Sequence, residues 1–117
     1  MRVVVSGSRE WGRKPDERER VYERLVALPP DTTILHGNAR GADEIADQAA
    51  RYLRLKREPH PADWRMLGKR AGIVRNVEML DTKPDLVIAF WDGESRGTDH
   101  MIQTARKRGI PVEVHTR

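Results

Sequence analysis

The chain has 117 residues, a formal charge of +4 and no cysteine, a length that fits one domain burying roughly two thirds of the surface its unfolded form exposes. Hydrophobic residues make up 38% and charged residues 34%; no apolar run approaches the ~20 residues that a membrane-crossing helix needs. The absence of Cys excludes disulfides, thiolate metal sites and a cysteine nucleophile, and the opening MRVVVSGSRE carries no signal-peptide core, so a cytoplasmic location without membrane contact is expected.

In chain order, Arg2 to Ser6 is a β-branched run that predicts a strand buried on both faces. It stops at Gly7-Ser8-Arg9. Asp16 to Leu28 carries Val21, Leu25 and Leu28 at helical spacing and ends at Pro29-Pro30. Thr33 to His36 predicts a short strand leading into Gly37-Asn38-Ala39-Arg40-Gly41. A helix follows over about Ala42 to Leu53, then a weaker strand over Leu55 to Glu58, broken by Pro59-His60-Pro61. The next helix is expected from about Lys69 to Leu80. Leu86 to Phe90 is a second strongly apolar strand. The loop Trp91 to Arg96 precedes a helix over about Gly97 to Arg108, closed by Gly109, and Pro111 to His115 supplies the last strand.

Strands alternating with helix-length connections predict an α/β domain spanning 1–117: one doubly wound, Rossmann-like parallel sheet of about five strands with helices on both faces. With strand order 3-2-1-4-5, the switch point falls between the first and fourth strands, and ligands bind beyond the strand carboxyl ends there. That crevice would bring together Gly7-Ser8-Arg9 and the loop Asp92 to Thr98. Glycine lets backbone N–H groups approach a ligand. Gly93 and Ser95 belong to the second of these loops, and Gly97-Thr98 begins a helix, where N–H groups and dipole favour a phosphate. Ser95 and Thr98 can add hydroxyl donors, and Arg9 and Arg96 charge-assisted bonds. The same glycines and hydroxyls also serve tight turns and helix caps. Neither loop is a Walker A motif, and the GxGxxG fingerprint is incomplete. Asp43 can cap the second helix or bind a ribose hydroxyl, with capping preferred. His36 can contact a ligand or be a satisfied strand-end histidine, and the second is preferred. The four histidines lack metal-ligand spacing, so no metal is expected; no cofactor is expected either.

Charge is uneven. Between Arg51 and Arg75, eight Lys or Arg face only Glu58 and Asp63, a basic stretch that favours an anionic partner, small ligand or nucleic acid, or else forms a solvated face.

Gly7-Ser8-Arg9 with Trp11, His36-Gly37 through Gly41-Ala42-Asp43, Trp64, Ala71-Gly72 through Arg75-Asn76, and Gly93 through Gly97-Thr98 together resemble the SLOG superfamily, in particular its small YspA-related (YAcAr) branch. The resemblance implies a Rossmann-like domain that binds a nucleotide or nucleotide-derived ligand, with Gly37, Asp43, Arg75 and Asn76 in the site. It also brings in the LOG phosphoribohydrolases, whose catalytic arginine matches Arg75 and whose adjacent lysine is replaced by Asn76. Their PGGxGTxxE motif keeps its GT as Gly97-Thr98, but Ser95 stands for a glycine and Met101 for the glutamate. Methionine can neither stabilise an oxocarbenium-like centre nor activate water, so that reaction loses its carboxylate.

Binding or sensing of a nucleotide ranks first. The alternatives are an N-glycosidic nucleotide hydrolase, with Arg75 catalytic, and below it a nucleic-acid binder. Trp11 and Trp64 are candidates to stack on a base. Association of copies is expected from the resemblance, not from any apolar excess.

Overall fold

The computed structural model describes residues 1–117. Five strands, β1 (Arg2–Gly7), β2 (Thr33–His36), β3 (Lys56–Pro59), β4 (Leu86–Trp91) and β5 (Val112–Thr116), form one parallel sheet in the order β3-β2-β1-β4-β5. This is the expected order, with β1 and β4 central and paired from Val3↔Leu86 to Gly7↔Phe90.

Alternation along β1 sets the two layers, because successive side chains point to opposite faces. Val3 and Val5 join Ile34, Ile88 and Phe90 beneath α1 (Glu17–Val26) and α2 (Ala42–Tyr52). Val4 joins Leu35 and Val87 beneath α4 (Ala71–Asp81) and α5 (Arg96–Lys107). Four buried alanines of α2, Ala42, Ala46, Ala49 and Ala50, bring that helix close to the sheet. No helix is long and apolar enough to cross a membrane.

Several boundaries differ from expectation, each for a local reason. The first helix stops at Val26 instead of Leu28; Leu28 precedes Pro29 and is disfavoured as helix, and its N–H bonds Leu25 in a tighter turn. The helix expected from Lys69 starts at Ala71, after a 3₁₀ turn over Gly68–Arg70. Before it lies an unpredicted single-turn helix, α3 (Trp64–Leu67), nucleated by Asp63, whose side chain accepts the Met66 N–H at 3.1 Å. α5 begins one residue early because Ser95 caps it. Gly109, at φ +73°, closes α5 as expected, and Ile110 N–H returns to the Ala105 carbonyl.

The loop after β1 is pinned by a buried carboxylate. Glu17 accepts the Gly12 and Lys14 N–H groups at 3.0 and 3.1 Å and pairs with Arg117 at 2.6 Å. Burial would raise its pKa, but the Arg117 bond and the two N–H groups hold it below the usual range.

Candidate functional site

At the carboxyl ends of β1 and β4 the chain reversals meet. A Cβ on Gly7 would overlap the Ala42 side chain and the Phe90 carbonyl, so glycine is what allows β1, β4 and α2 to converge here. Ser8 ties them together. Its N–H donates to Phe90 O at 2.9 Å, its carbonyl accepts from Trp11 and Ala42, and its Oγ accepts the Asp92 N–H at 3.0 Å. Ser8 is therefore a fully buried brace between the loops, not the cavity-lining hydroxyl its position in the motif predicts.

Between the loops opens a cavity of about 560 Å³. Gly7 and Arg9 line it from the first reversal, and Ser95, Gly97 and Thr98 from the second. Arg75 and Asn76 enter from α4, Asp43 from α2 and Trp64 from α3. Gly93 does not line it; at φ +85° it shapes the turn instead.

The start of α5 carries much of the site's chemistry. Ser95 Oγ accepts the Thr98 N–H, and the two hydroxyls lie 3.0 Å apart. Asp92 Oδ1 accepts the Glu94 and Ser95 N–H groups at 2.8 and 2.9 Å. Burial would push Asp92 up, but these two N–H groups and then Ser8 hold its carboxyl below the usual range. The remaining first-turn donors, the Arg96 and Gly97 N–H groups, have no partner in the chain, as expected of helix N-termini.

Arg75 is fixed from behind. Its Nη1 donates to the Gly37 carbonyl and its Nε to Asn76 Oδ1 at 3.2 Å. A Cβ at Gly37 would overlap the guanidinium, so this glycine makes room for Arg75 and faces a smaller neighbouring cavity instead of the main one. Burial lowers the Arg75 pKa, the Asp43 charge opposes that, and the Arg9 charge adds to it. Asn76, buried where the LOG motif has lysine, passes the anchor on to α5: its Nδ2 donates to Gly97 O and lies 3.2 Å from His100 Nδ1. Burial keeps His100 below its ordinary pKa, so the neutral ring accepts from Asn76 and turns Nε2 towards Thr104 Oγ1 at 3.3 Å. His100 lines the cavity and was missed by motif reading; its spacing three residues after Gly97 was the available signal.

Asp43 does not cap α2, contrary to the preferred expectation. The cap position is Gly41, and Asp43, in the first turn, reaches back to accept the Gly37 and Ala39 N–H groups at 3.0 and 3.3 Å. Burial pushes its carboxyl up to about 6, against the pull of Arg75, His36 and the two N–H groups. Folding thus retains a proton that the unfolded chain has released. Asp43 favours the folded state most below its ordinary 3.8, and that contribution, on the order of 3 kcal/mol, is lost as pH rises through 6. Asp43→Asn, which keeps an acceptor oxygen, is expected to gain stability relative to the parent between pH 4 and 7; denaturant titrations of both chains across that window check it.

His36 is a satisfied strand-end histidine. Its Nδ1 accepts the Asn38 N–H at 3.0 Å, which leaves Nε2 to donate to Asp47 Oδ1 at 2.8 Å. The two tryptophans part company. Trp11 is 2% exposed, tilted against Phe90 with centroids 5.4 Å apart, covered by Arg20, and donates Nε1–H to Glu17 O at 3.1 Å. It offers no face to a ligand, which corrects the expectation of a base stack there. Trp64 is 49% exposed at the cavity rim, over Gly72, with the Arg9 guanidinium 5.7 Å from its ring centroid. Met101 is fully buried with Val4, Leu35 and Met79, so the residue aligned with the LOG glutamate belongs to the core.

In the basic stretch, Arg51 and Arg57 are spent on Asp47, whereas Lys69 and Arg75 reach the cavity.

A family model described as "YspA, cpYpsA-related SLOG family" matches residues 1–66. The "Gene 61 protein" of Mycobacterium phage D29 is 40% identical over 116 residues, which cover 95% of this chain and 93% of that protein. No solved structure matches.

Proposed function

This chain belongs to the YspA, cpYpsA-related SLOG family, and from that premise we propose that it binds a nucleotide or nucleotide-derived phosphate ligand in the cavity between β1 and β4. The observation that carries the reading is the meeting of two free donors, the Arg96 and Gly97 N–H groups, with the anchored Arg75 and the unpaired Arg9 around one cavity. A phosphate on the first turn of α5 would gain the helix dipole and two N–H bonds. Arg75, held by Gly37 and Asn76, would meet its charge without having to be ordered on binding. The half-exposed Trp64 would cover the base or sugar.

Calorimetry and thermal melts with the common nucleoside mono- and diphosphates, dinucleotides and cyclic nucleotides test the proposal. Saturable binding is expected, with about 2.7 kcal/mol of added stability at a hundredfold excess over Kd. Arg75→Ala is expected to weaken that binding about 10- to 100-fold, the worth of one charge-assisted bond. No saturable binding across the panel refutes the proposal.

One observation favours a second reading, N-glycosidic hydrolysis. Asp43, beside Arg75 and pushed up to about 6, is a cavity carboxyl suited to proton transfer near neutral pH. Free base released from nucleoside monophosphates in a single turnover, and lost in Arg75→Ala, would establish it; no release removes it.

A further inference from the structure

The cavity between β1 and β4 has a neighbour. A second one, of about 380 Å³, adjoins it, and both are lined by Arg9, Ala39, Trp64 and Arg75. These four residues form a wall shared by two chambers. The second chamber is bordered by the β2–α2 loop, which contributes Arg40, and by Pro61-Ala62 ahead of α3.

The two chambers differ in charge. Four carboxylates line the first, Asp43 and Asp92 among them, and they offset its cations. Three guanidinium groups line the second and no carboxylate does. The chain does little to neutralise two of them, Arg9 and Arg40. Arg9 has the Trp64 ring beside it and no hydrogen bond or ion pair. Arg40 reaches Glu10 at 3.3 Å in an exposed pair, an arrangement worth little in water. Arg75 is held by a carbonyl and an amide, and the nearby Asp43 carboxyl offsets part of its charge. Like charges gathered in one concavity repel unless an anion joins them, and such a hollow focuses its field on whatever anion enters.

We infer that the second chamber is a second anion subsite, so that the ligand carries two anionic groups on either side of one nucleoside: a nucleoside 3′,5′-bisphosphate unit, free or at the 5′ end of a strand. The inference rests on the reading that the first phosphate sits at the start of α5. The nucleoside then lies along the Arg9–Trp64 wall, and the second phosphate passes beyond it to Arg40. In this reading the shared wall of Arg9, Ala39, Trp64 and Arg75 stands between the two charges, so the diphosphate is the comparison that tests whether they must be separated.

Calorimetry on the full chain compares the four ribonucleoside 5′-monophosphates, their 5′-diphosphates and their 3′,5′-bisphosphates. For the base that binds best, the bisphosphate is expected to bind about tenfold or more tighter than both the monophosphate and the diphosphate, as one further charge-assisted contact gives. Arg40→Gln, at an exposed position where melting should be unchanged, is expected to cut that advantage to about threefold or less. A monophosphate that binds while the bisphosphate gains nothing, or an advantage that survives Arg40→Gln, overturns the second subsite and leaves the first reading standing. If none of the nucleotides binds, both fall. A 5′-phosphorylated tetranucleotide identifies the source: tighter than the bisphosphate means a strand end, weaker means a free small molecule.

Discussion

Gly41→Ala is expected to destabilise the fold by about 3 kcal/mol or more, from backbone strain and a contact that no rotamer relieves. Gly41 sits at φ +78°, ψ −128°, a region essentially closed to residues with a Cβ. An added Cβ would also overlap the Ser8 and Arg9 carbonyl groups. Those are main-chain atoms of the β1–α1 reversal, and the Ser8 carbonyl is held there by the Trp11 and Ala42 N–H groups. The loop would have to move away from α2, opening the floor of the cavity. Gly109→Ala is the control: φ is +73° there but the space is open, so only the left-handed strain of about 1–2 kcal/mol is expected. Denaturant unfolding of both variants measures the difference, and equal losses would show that the loop yields.

Gly97→Asp separates folding from binding. No atom lies within 4 Å of where its Cβ would stand, and the residue is in the first turn of α5, where glycine is a poor helix former and an acid suits the dipole. Stability is therefore expected to hold or to rise by up to about 1 kcal/mol. Nucleotide binding is expected to fall at least about 100-fold, because the new carboxylate occupies the place of the phosphate and repels it by several kcal/mol. A variant that melts later yet no longer binds would tie the ligand to this helix end. Binding that persists within about threefold would place the phosphate elsewhere.

How much of this was legible in the chain can be followed residue by residue. Alternating apolar runs and helical stripes led to the doubly wound parallel sheet, because a parallel strand needs a crossover and crossovers are right-handed. The order 3-2-1-4-5 was a supposition within that class, and the sheet has it. The order in turn identified the reversals after β1 and β4 as neighbours, and Ser8 Oγ does meet the Asp92 N–H. The burial of Met101 was readable too, since Met101, Ile102 and Ala105 make the inner stripe of α5. Short-range pattern failed at α3, where one turn capped by Asp63 is too brief for any period to register.

Sequence alone determined the five strands, the long helices and the doubly wound class, since these follow from periodicity and crossover handedness. The strand order that sets the two loops face to face is a tertiary property. Only the tertiary structure decided what each side chain in those loops does. Trp11 turned inward onto Phe90 while Trp64 stayed at the rim. Asp43 became a buried partner of the Gly37 loop beside Arg75 instead of a cap. A side chain's role depends on the charge, burial and donors that distant segments bring against it, and no spacing along the chain encodes those distances.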